Sequence, residues 1–118
     1  MFFGNFMKSG LSAVDAVSGA RDGSVKVIDV REVAEVMRSG KAKGAKNIPL
    51  TRLRDMIDPR HPDFIGDLKP DDKIALYCAS GARSMNARMA MKSMGYNDVH
   101  NIGGFQTWLN AGGAIERA

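Results

Sequence analysis

One segment of the chain decides the fold: residues 74–84, with the sequence IALYCASGARS. Its first part, residues 74–77, is an apolar run that predicts a buried strand. A helical pattern covers residues 83–94, and Gly95 follows it, as a glycine often follows a helix. Cys78, the only cysteine, lies between the two elements. Ligands of open α/β sheets bind beyond the carboxyl ends of strands, so this segment is the predicted site.

The rest of the chain repeats the alternation of strands and helices. Apolar runs predict further strands at residues 25–30, 47–49 and 98–102. Helical patterns cover residues 9–20, 32–39, 51–57 and 105–110, and a turn is predicted at Gly103-Gly104. Strands that alternate with helices imply parallel pairing through crossover helices. The sequence therefore predicts an α/β fold, a small parallel β-sheet flanked by helices on both faces.

Apolar spacing also predicts which side chains the helices bury. The inward positions are Leu11, Val14 and Val17 in the first helix, Val33, Val36 and Met37 in the second, and Leu53, Met56 and Ile57 in the third. In helix 83–94 they are Ala87, Ala90, Met91 and Met94. The methionines, including the four between Met85 and Met94, are interpreted as core filler. Phe105 and Trp108 are expected to pack under the Gly103-Gly104 turn.

Length and composition limit the classes of protein. A chain of 118 residues (12.8 kDa) suffices for one domain with a single core. The hydrophobic fraction of 44% and charged fraction of 25% exclude disorder, collagen and a coiled coil. A net charge of +4 is compatible with anionic ligands but too small to require nucleic acid, so no nucleic-acid partner is expected.

The remaining sequence features concern the compartment. With one cysteine there is no internal disulfide, so the fold does not depend on an oxidising compartment. No apolar run approaches the roughly 20 residues of a membrane span. Residues 1–7 are apolar but lack a basic start and a cleavage motif. We therefore expect a cytoplasmic protein without a membrane partner. Three interpretations of the apolar start stay open: an anchor for a partner, a dimer face, or no such role.

The segment around the cysteine has the features of a nucleophile site. Its small residues can turn backbone N–H groups inward, and the following helix adds a positive field. A thiol held there has a lowered pKa and is the nucleophilic thiolate. A lone cysteine can also be a small buried hydrophobe, but the strand-end position and the terminal arginine favour catalysis. The candidates are Cys78 as the catalytic residue and Ala79, Ser80, Gly81, Ala82 and Arg83 as substrate-binding residues.

The chain resembles a single-domain rhodanese, a member of a sulfurtransferase family. Residues 78–83 match that family's loop of cysteine, two variable residues, glycine, one variable residue and arginine. Residues 28–32 and 44–49 match its first two characteristic segments, and residues 95–108 match its closing signature. On this resemblance, residues 9–116 form one rhodanese-like domain and residues 1–8 an N-terminal extension.

The resemblance implies a double-displacement reaction. Cys78 would take the outer sulfur of thiosulfate or a persulfide and become a cysteine persulfide, which backbone N–H groups would stabilise. Cyanide or a thiol would then remove that sulfur. A small-molecule donor and acceptor are the implied partners, and neither an organic cofactor nor a metal is implied.

Two alternatives stay open. One is a phosphatase or arsenate reductase of the same fold, which the resemblance disfavours because their loops are one residue longer. The other is a sulfur carrier or binding module, in which Cys78 passes sulfur between proteins without turnover of small molecules. An intact Cys78 does not separate a carrier from an enzyme.

Charged residues outside the loop receive structural interpretations. Lys41, Lys43 and Lys46 form either a solvated basic face or a docking surface for an acidic protein partner. Asp29 and Arg31 are expected to bind neighbouring backbone and to fix a strand end. The two histidines, His61 and His100, lack the clustered spacing of a zinc site, so no metal is expected.

Overall fold

The computed structural model describes residues 10–118, and its main feature is a parallel sheet. The elements in chain order are α1 (Ala13–Asp22), β1 (Lys26–Asp29), α2 (Val33–Ser39), β2 (Lys41–Ala42), β3 (Lys46–Asn47), a 3-10 turn (Leu50–Arg52), α3 (Leu53–Met56), β4 (Lys73–Cys78), α4 (Ala82–Ser93), β5 (Asp98–Gly104), α5 (Phe105–Asn110) and β6 (Ile115–Glu116). Four strands pair in parallel in the order β3-β1-β4-β5, which confirms the predicted sheet.

The sheet is covered on both faces, as the sequence predicts, because side chains alternate along each strand. In β4, Leu76 and Cys78 belong to a core shared with α3 and α4, whereas Tyr77 belongs to the core on the opposite face, shared with α1 and α5. Strands buried on both faces are continuous apolar runs, and β4 is such a strand. Cys78 is therefore fixed on the α4 face by the register of its own strand.

Local sequence explains where the helices begin and end. The Ser12 hydroxyl accepts from the Asp15 N–H at the start of α1, and Gly23 ends this helix with a φ of 84°. At the start of α2, the Glu35 carboxylate accepts from the Glu32 N–H at 2.9 Å within a capping box. Gly81 precedes α4 with a φ of 101°, a conformation that glycine adopts without strain.

Several predicted boundaries are wrong. Gly103 and Gly104 are not a turn but the end of β5, and they pair with Tyr77 and Cys78. The helix predicted at 9–20 begins at Ala13 within the described residues and continues to Asp22. The helix predicted at 51–57 is a 3-10 turn followed by the short α3, and the strand predicted at 47–49 is β3. The antiparallel pair of β2 and β6 was not predicted, since strands of two residues carry no periodicity.

Some side chains assigned to the core are exposed. Val14 is 63% exposed, and Val33 and Met37 of α2 are 53% and 69% exposed, so only Val36 of that helix is buried. Met85 and Met89 are also exposed, because α4 covers the sheet with a single face that includes Ala87 and Met91. These methionines are not core filler.

The two aromatic residues of the closing segment pack differently from the prediction. Trp108 is buried against Gly113, and its indole N–H donates to the Ala114 carbonyl at 2.8 Å. Phe105 stacks on Tyr77 with ring centroids 5.8 Å apart.

Among the described residues, no helix is long and apolar enough to cross a membrane.

Candidate active site

Cys78 is the last residue of β4, and the segment of residues 78–83, which we call the cysteine loop, leads from it into α4. The Cys78 side chain is buried, whereas Ala79, Ser80 and Ala82 are exposed. The sulfur therefore lies directly beneath a surface loop that carries only small side chains near it. This is the strand-end position that the sequence predicts for the site.

Backbone N–H groups of the loop point at the sulfur. The Gly81 N–H donates to Cys78 Sγ at 2.9 Å, and the backbone of Ser80 and Ser84 also contributes hydrogen bonds to it. The left-handed conformation of Gly81 turns its N–H inward, and the helix α4 begins with the next residue. A concave set of backbone donors is an anion-binding device, and here the anion would be on sulfur.

Ser84 also belongs to the site, although the sequence pattern did not indicate it. Its hydroxyl is buried and lies 3.5 Å from Cys78 Sγ. The same oxygen lies 2.7 Å from Asn101 Oδ1 and 3.2 Å from the Gly81 carbonyl. A hydroxyl has one proton and can turn it toward the strongest acceptor. It can therefore donate to Asn101 when the sulfur is neutral and to the sulfur when it is charged.

Two opposing effects set the acidity of the Cys78 thiol. Burial raises the pKa, because a thiolate loses its hydration in the interior. The hydrogen bonds from the Ser84 hydroxyl and from the backbone of the loop lower the pKa, because they stabilise the charged form. The balance is a pKa below the ordinary value for cysteine. The site therefore stabilises the thiolate, the nucleophilic form, relative to an ordinary cysteine.

Arg83, the last residue of the cysteine loop, forms an ion pair with Glu35. Its Nη1 and Nη2 donate to the two oxygens of Glu35 at 2.6 and 2.9 Å. The hydrogen bond from Arg83 holds the pKa of Glu35 at about 2, and the same bond raises the pKa of Arg83, with a smaller contribution from the nearby Cys78. A bidentate pair of this kind is strong and geometrically specific. The one charged side chain of the cysteine loop is thus joined to α2.

Asn101 of β5 supports the loop from the other side. Its Nδ2 donates to the Gly81 carbonyl at 3.0 Å, and its Oδ1 accepts from the Gly103 N–H at 2.9 Å. The loop also runs so close to β5 that a Cβ on Gly104 would overlap the Ala79 carbonyl. The closing signature therefore contributes space and hydrogen bonds to the cysteine loop, a role that its sequence did not reveal.

Asp29 and Arg31 have the structural role that the sequence predicts. Arg31 donates to both oxygens of Asp29 at 3.0 and 2.7 Å and to the Gly40 carbonyl at 2.8 Å. The buried hydroxyl of Tyr77 donates to Asp29 and accepts from the Ala42 N–H. This network ties the ends of β1 and β4 together.

The lysines and histidines that the sequence singled out lie in other places. Lys41 pairs with Glu116 between β2 and β6, and Lys43 and Lys46 line a cleft of about 220 Å³ near the start of β1. His61 lies 3.6 Å from Asp55, and His100 lies 2.5 Å from Asp98. Within residues 10–118, no group of three or more possible ligands could hold a metal ion.

Comparison with known proteins agrees with this geometry. Thiosulfate sulfurtransferase/rhodanese-like domain-containing protein 3 of Mus musculus is 32% identical over 91 residues, which cover 72% of this chain and 58% of that protein. The tRNA uridine(34) hydroxylase of Wolbachia pipientis is 40% identical over 86 residues, which cover 72% of this chain and 29% of that protein. The chain thus spans less than two thirds of either relative.

A solved structure and a family model extend the comparison. The human single-domain sulfurtransferase TSTD1 superposes with a TM-score of 0.76 and 26% identity over 86% of this chain and 95% of that one. The model of the rhodanese-like domain matches residues 12–111, which include the cysteine loop and the segments that contact it. The chain therefore belongs to the rhodanese-like domain family, whose members are usually sulfurtransferases.

Proposed function

We propose that the protein is a thiosulfate sulfurtransferase of the rhodanese type, which transfers a sulfane sulfur from thiosulfate or a persulfide to cyanide or a thiol. The observation that carries the proposal is the environment of the Cys78 sulfur. It receives an N–H bond from Gly81 at 2.9 Å and has a lowered pKa, although it is buried. These are the properties of a catalytic nucleophile rather than of a thiol that only fills the core.

The reaction has two displacements with Cys78 as the only nucleophile. The thiolate attacks the outer sulfur of thiosulfate, a bond from Sγ to that sulfur forms, and sulfite leaves with the electron pair of the broken S–S bond. Cyanide then attacks the outer sulfur of the Cys78 persulfide, thiocyanate leaves, and the thiolate returns. Both steps conserve charge and need no proton transfer, which fits a site with no base beside the cysteine among the contacts of the sulfur.

The cysteine loop would act as the binding site for the transferred sulfur. Residues Ala79 to Arg83 would line the path of the donor to the nucleophile, and Ala79, Ser80 and Ala82 are exposed and carry small side chains. The persulfide carries its charge one atom further out than the thiolate. Backbone donors held in place by Gly81 and Asn101 would stabilise that charge without reorganisation.

The alternatives are weaker on the same observations. A phosphatase or arsenate reductase has a loop one residue longer, and the short cysteine loop suits a single sulfur atom better than a tetrahedral oxyanion. The match to the Wolbachia hydroxylase covers 29% of that protein, and a stabilised thiolate favours sulfur transfer over hydroxylation. A sulfur carrier would use Cys78 in the same way, with proteins as donor and acceptor.

A thiol that must remain unoxidised also fits a reducing, cytoplasmic setting.

Steady-state kinetics test the proposal. Thiocyanate production from thiosulfate and cyanide should give the parallel double-reciprocal lines of a two-step displacement and should vanish in Cys78→Ser. Arg60→Ala, a substitution at an exposed residue, is the control and should retain full activity. Turnover that persists in Cys78→Ser would reject the mechanism. Cleavage of an aryl phosphate in place of sulfur transfer would favour the phosphatase alternative.

A further inference from the structure

The cysteine loop contains one charged side chain, and its charge is already compensated. Both terminal nitrogens of Arg83 donate to Glu35, and the two side chains are about one third and one quarter exposed, at 34% and 26%. Glu35 is held in turn by the Glu32 N–H, which binds the same Oε1 that receives Arg83 Nη1. The pair is therefore a fixed part of the rim around the sulfur, with no net charge.

Two groups near this pair add no free positive charge. Arg31, at the end of β1, is neutralised by Asp29, and the side chain from β5 is the uncharged Asn101. Glu32 begins α2 on the same side and is negative. Backbone N–H groups and the Ser84 hydroxyl converge on Sγ, where they stabilise one sulfur-centred charge, and Glu35 offsets the attraction that Arg83 adds. A second charge on the donor, several ångströms further out, meets no unpaired cation among these residues.

We propose that the Glu35–Arg83 pair determines the donor class, so that the site prefers neutral or singly charged persulfides to the dianion thiosulfate. This inference rests on the proposed function, because it concerns the first displacement at Cys78. With a persulfide R–S–SH, the thiolate forms a bond to the outer sulfur, the S–S bond of the donor breaks, and the thiolate R–S⁻ leaves with its electron pair. The proton stays on the transferred sulfur or goes to solvent.

The test compares two donors on single-turnover loading of Cys78, followed by intact mass: thiosulfate and the persulfide of 2-mercaptoethanol. Glu35→Gln retains the shape and the capping bond of α2 but frees the charge of Arg83. In Glu35→Gln the ratio of the thiosulfate rate constant to the persulfide rate constant should rise by about threefold. The reason is that a dianion gains about twice the Coulomb energy of a monoanion near one charge. The gain should shrink at high salt.

Two further variants separate this effect from a general change in charge. Glu32→Gln removes a negative charge from the same helix start without touching Arg83, and it should leave the ratio of the two rate constants near that of the wild type. The double variant Glu35→Gln/Arg83→Gln removes both charges of the pair and should also restore the ratio. The comparison of Glu35→Gln with the double variant remains valid even if Glu35→Gln loosens the loop. Both variants lack the ion pair, so they differ in the charge of residue 83.

The outcomes separate this inference from the proposed function. A ratio that is equal in wild type and Glu35→Gln, or that shifts as much in Glu32→Gln, would overturn the role of the pair while Cys78 still loads with sulfur. Failure of wild-type Cys78 to load from either donor would instead reject the proposed function. A selective gain for thiosulfate in Glu35→Gln alone would establish the pair as the determinant of donor class.

Discussion

At the scale of single residues, the reactivity of Cys78 depends on a small number of hydrogen bonds that oppose its burial. Burial alone would raise the pKa of the thiol and make it inert. The hydroxyl of Ser84 and the N–H of Gly81 reverse that direction, so the pKa of the thiol lies below the ordinary value for cysteine although the side chain is buried. Ser84 is the contributor that a substitution can remove without changing the backbone.

Ser84→Ala should therefore raise the pKa of Cys78, by roughly one pH unit or less for a single hydrogen bond to a charged group at 3.5 Å. The measurement is the pH dependence of alkylation by iodoacetamide, whose midpoint should move to higher pH. Ser93→Ala is the matched control, because the Ser93 hydroxyl binds the Ala90 carbonyl at the far end of α4. An unchanged midpoint in Ser84→Ala would remove this hydroxyl from the account.

At the scale of elements, the sequence was sufficient for those that carry their own pattern. Three patterns predicted correctly that Cys78 lies at a strand end: the apolar run of β4, the small residues after it, and the helix that ends before Gly95. Glu35 and Asn101 could not be predicted as site residues, because they lie 48 and 20 residues from the loop atoms they bind. Only the assembled sheet brings them to the loop.

The role of the end of β5 could not be predicted from the sequence either. Its two glycines predict a turn locally, but in the fold they lie in the last part of a strand that closely contacts the cysteine loop. Gly104 pairs with Cys78 and leaves no space for a side chain beside the Ala79 carbonyl. Gly104→Ala should therefore displace the cysteine loop and slow sulfur loading by about tenfold or more, as expected when reacting groups are misplaced by about 1 Å.

Loading should be measured by intact mass, together with the unfolding midpoint in urea. Gly10→Ala is the control, because a Cβ there meets nothing closer than 3.8 Å. Wild-type loading by Gly104→Ala would show that the loop does not depend on this contact.

At the scale of the whole molecule, the two cores fix the sheet, while ion pairs connect the helices above it. The Glu35–Arg83 pair joins α2 to α4, and its contribution to stability depends on pH. The folded pKa of Glu35 is about 2, below the ordinary value of 4.5. A lowered carboxyl pKa adds stability that is complete above the unfolded value and is lost as the pH falls through the folded one.

The acid side of the stability curve should therefore change in Glu35→Gln. Between about pH 4.5 and 2, the free energy of unfolding of the wild type should fall more steeply than that of the variant. The difference should be about 1 kcal/mol or less, because the pair is partly exposed and solvent screens it. Urea unfolding at several pH values measures it, with Glu32→Gln as the control. Parallel curves for wild type and Glu35→Gln would show that the pair adds no folding stability.

A persulfide on Cys78 is the intermediate of the proposed reaction, and intact mass detects it. The purified protein is incubated with thiosulfate or the persulfide of 2-mercaptoethanol, and its mass is measured before and after cyanide is added. We expect the wild type to gain one sulfur atom that cyanide removes, and Cys78→Ser to gain none. A folded wild-type protein that gains no sulfur from either donor, or a Cys78→Ser variant that gains it equally, would show that Cys78 does not carry the sulfur.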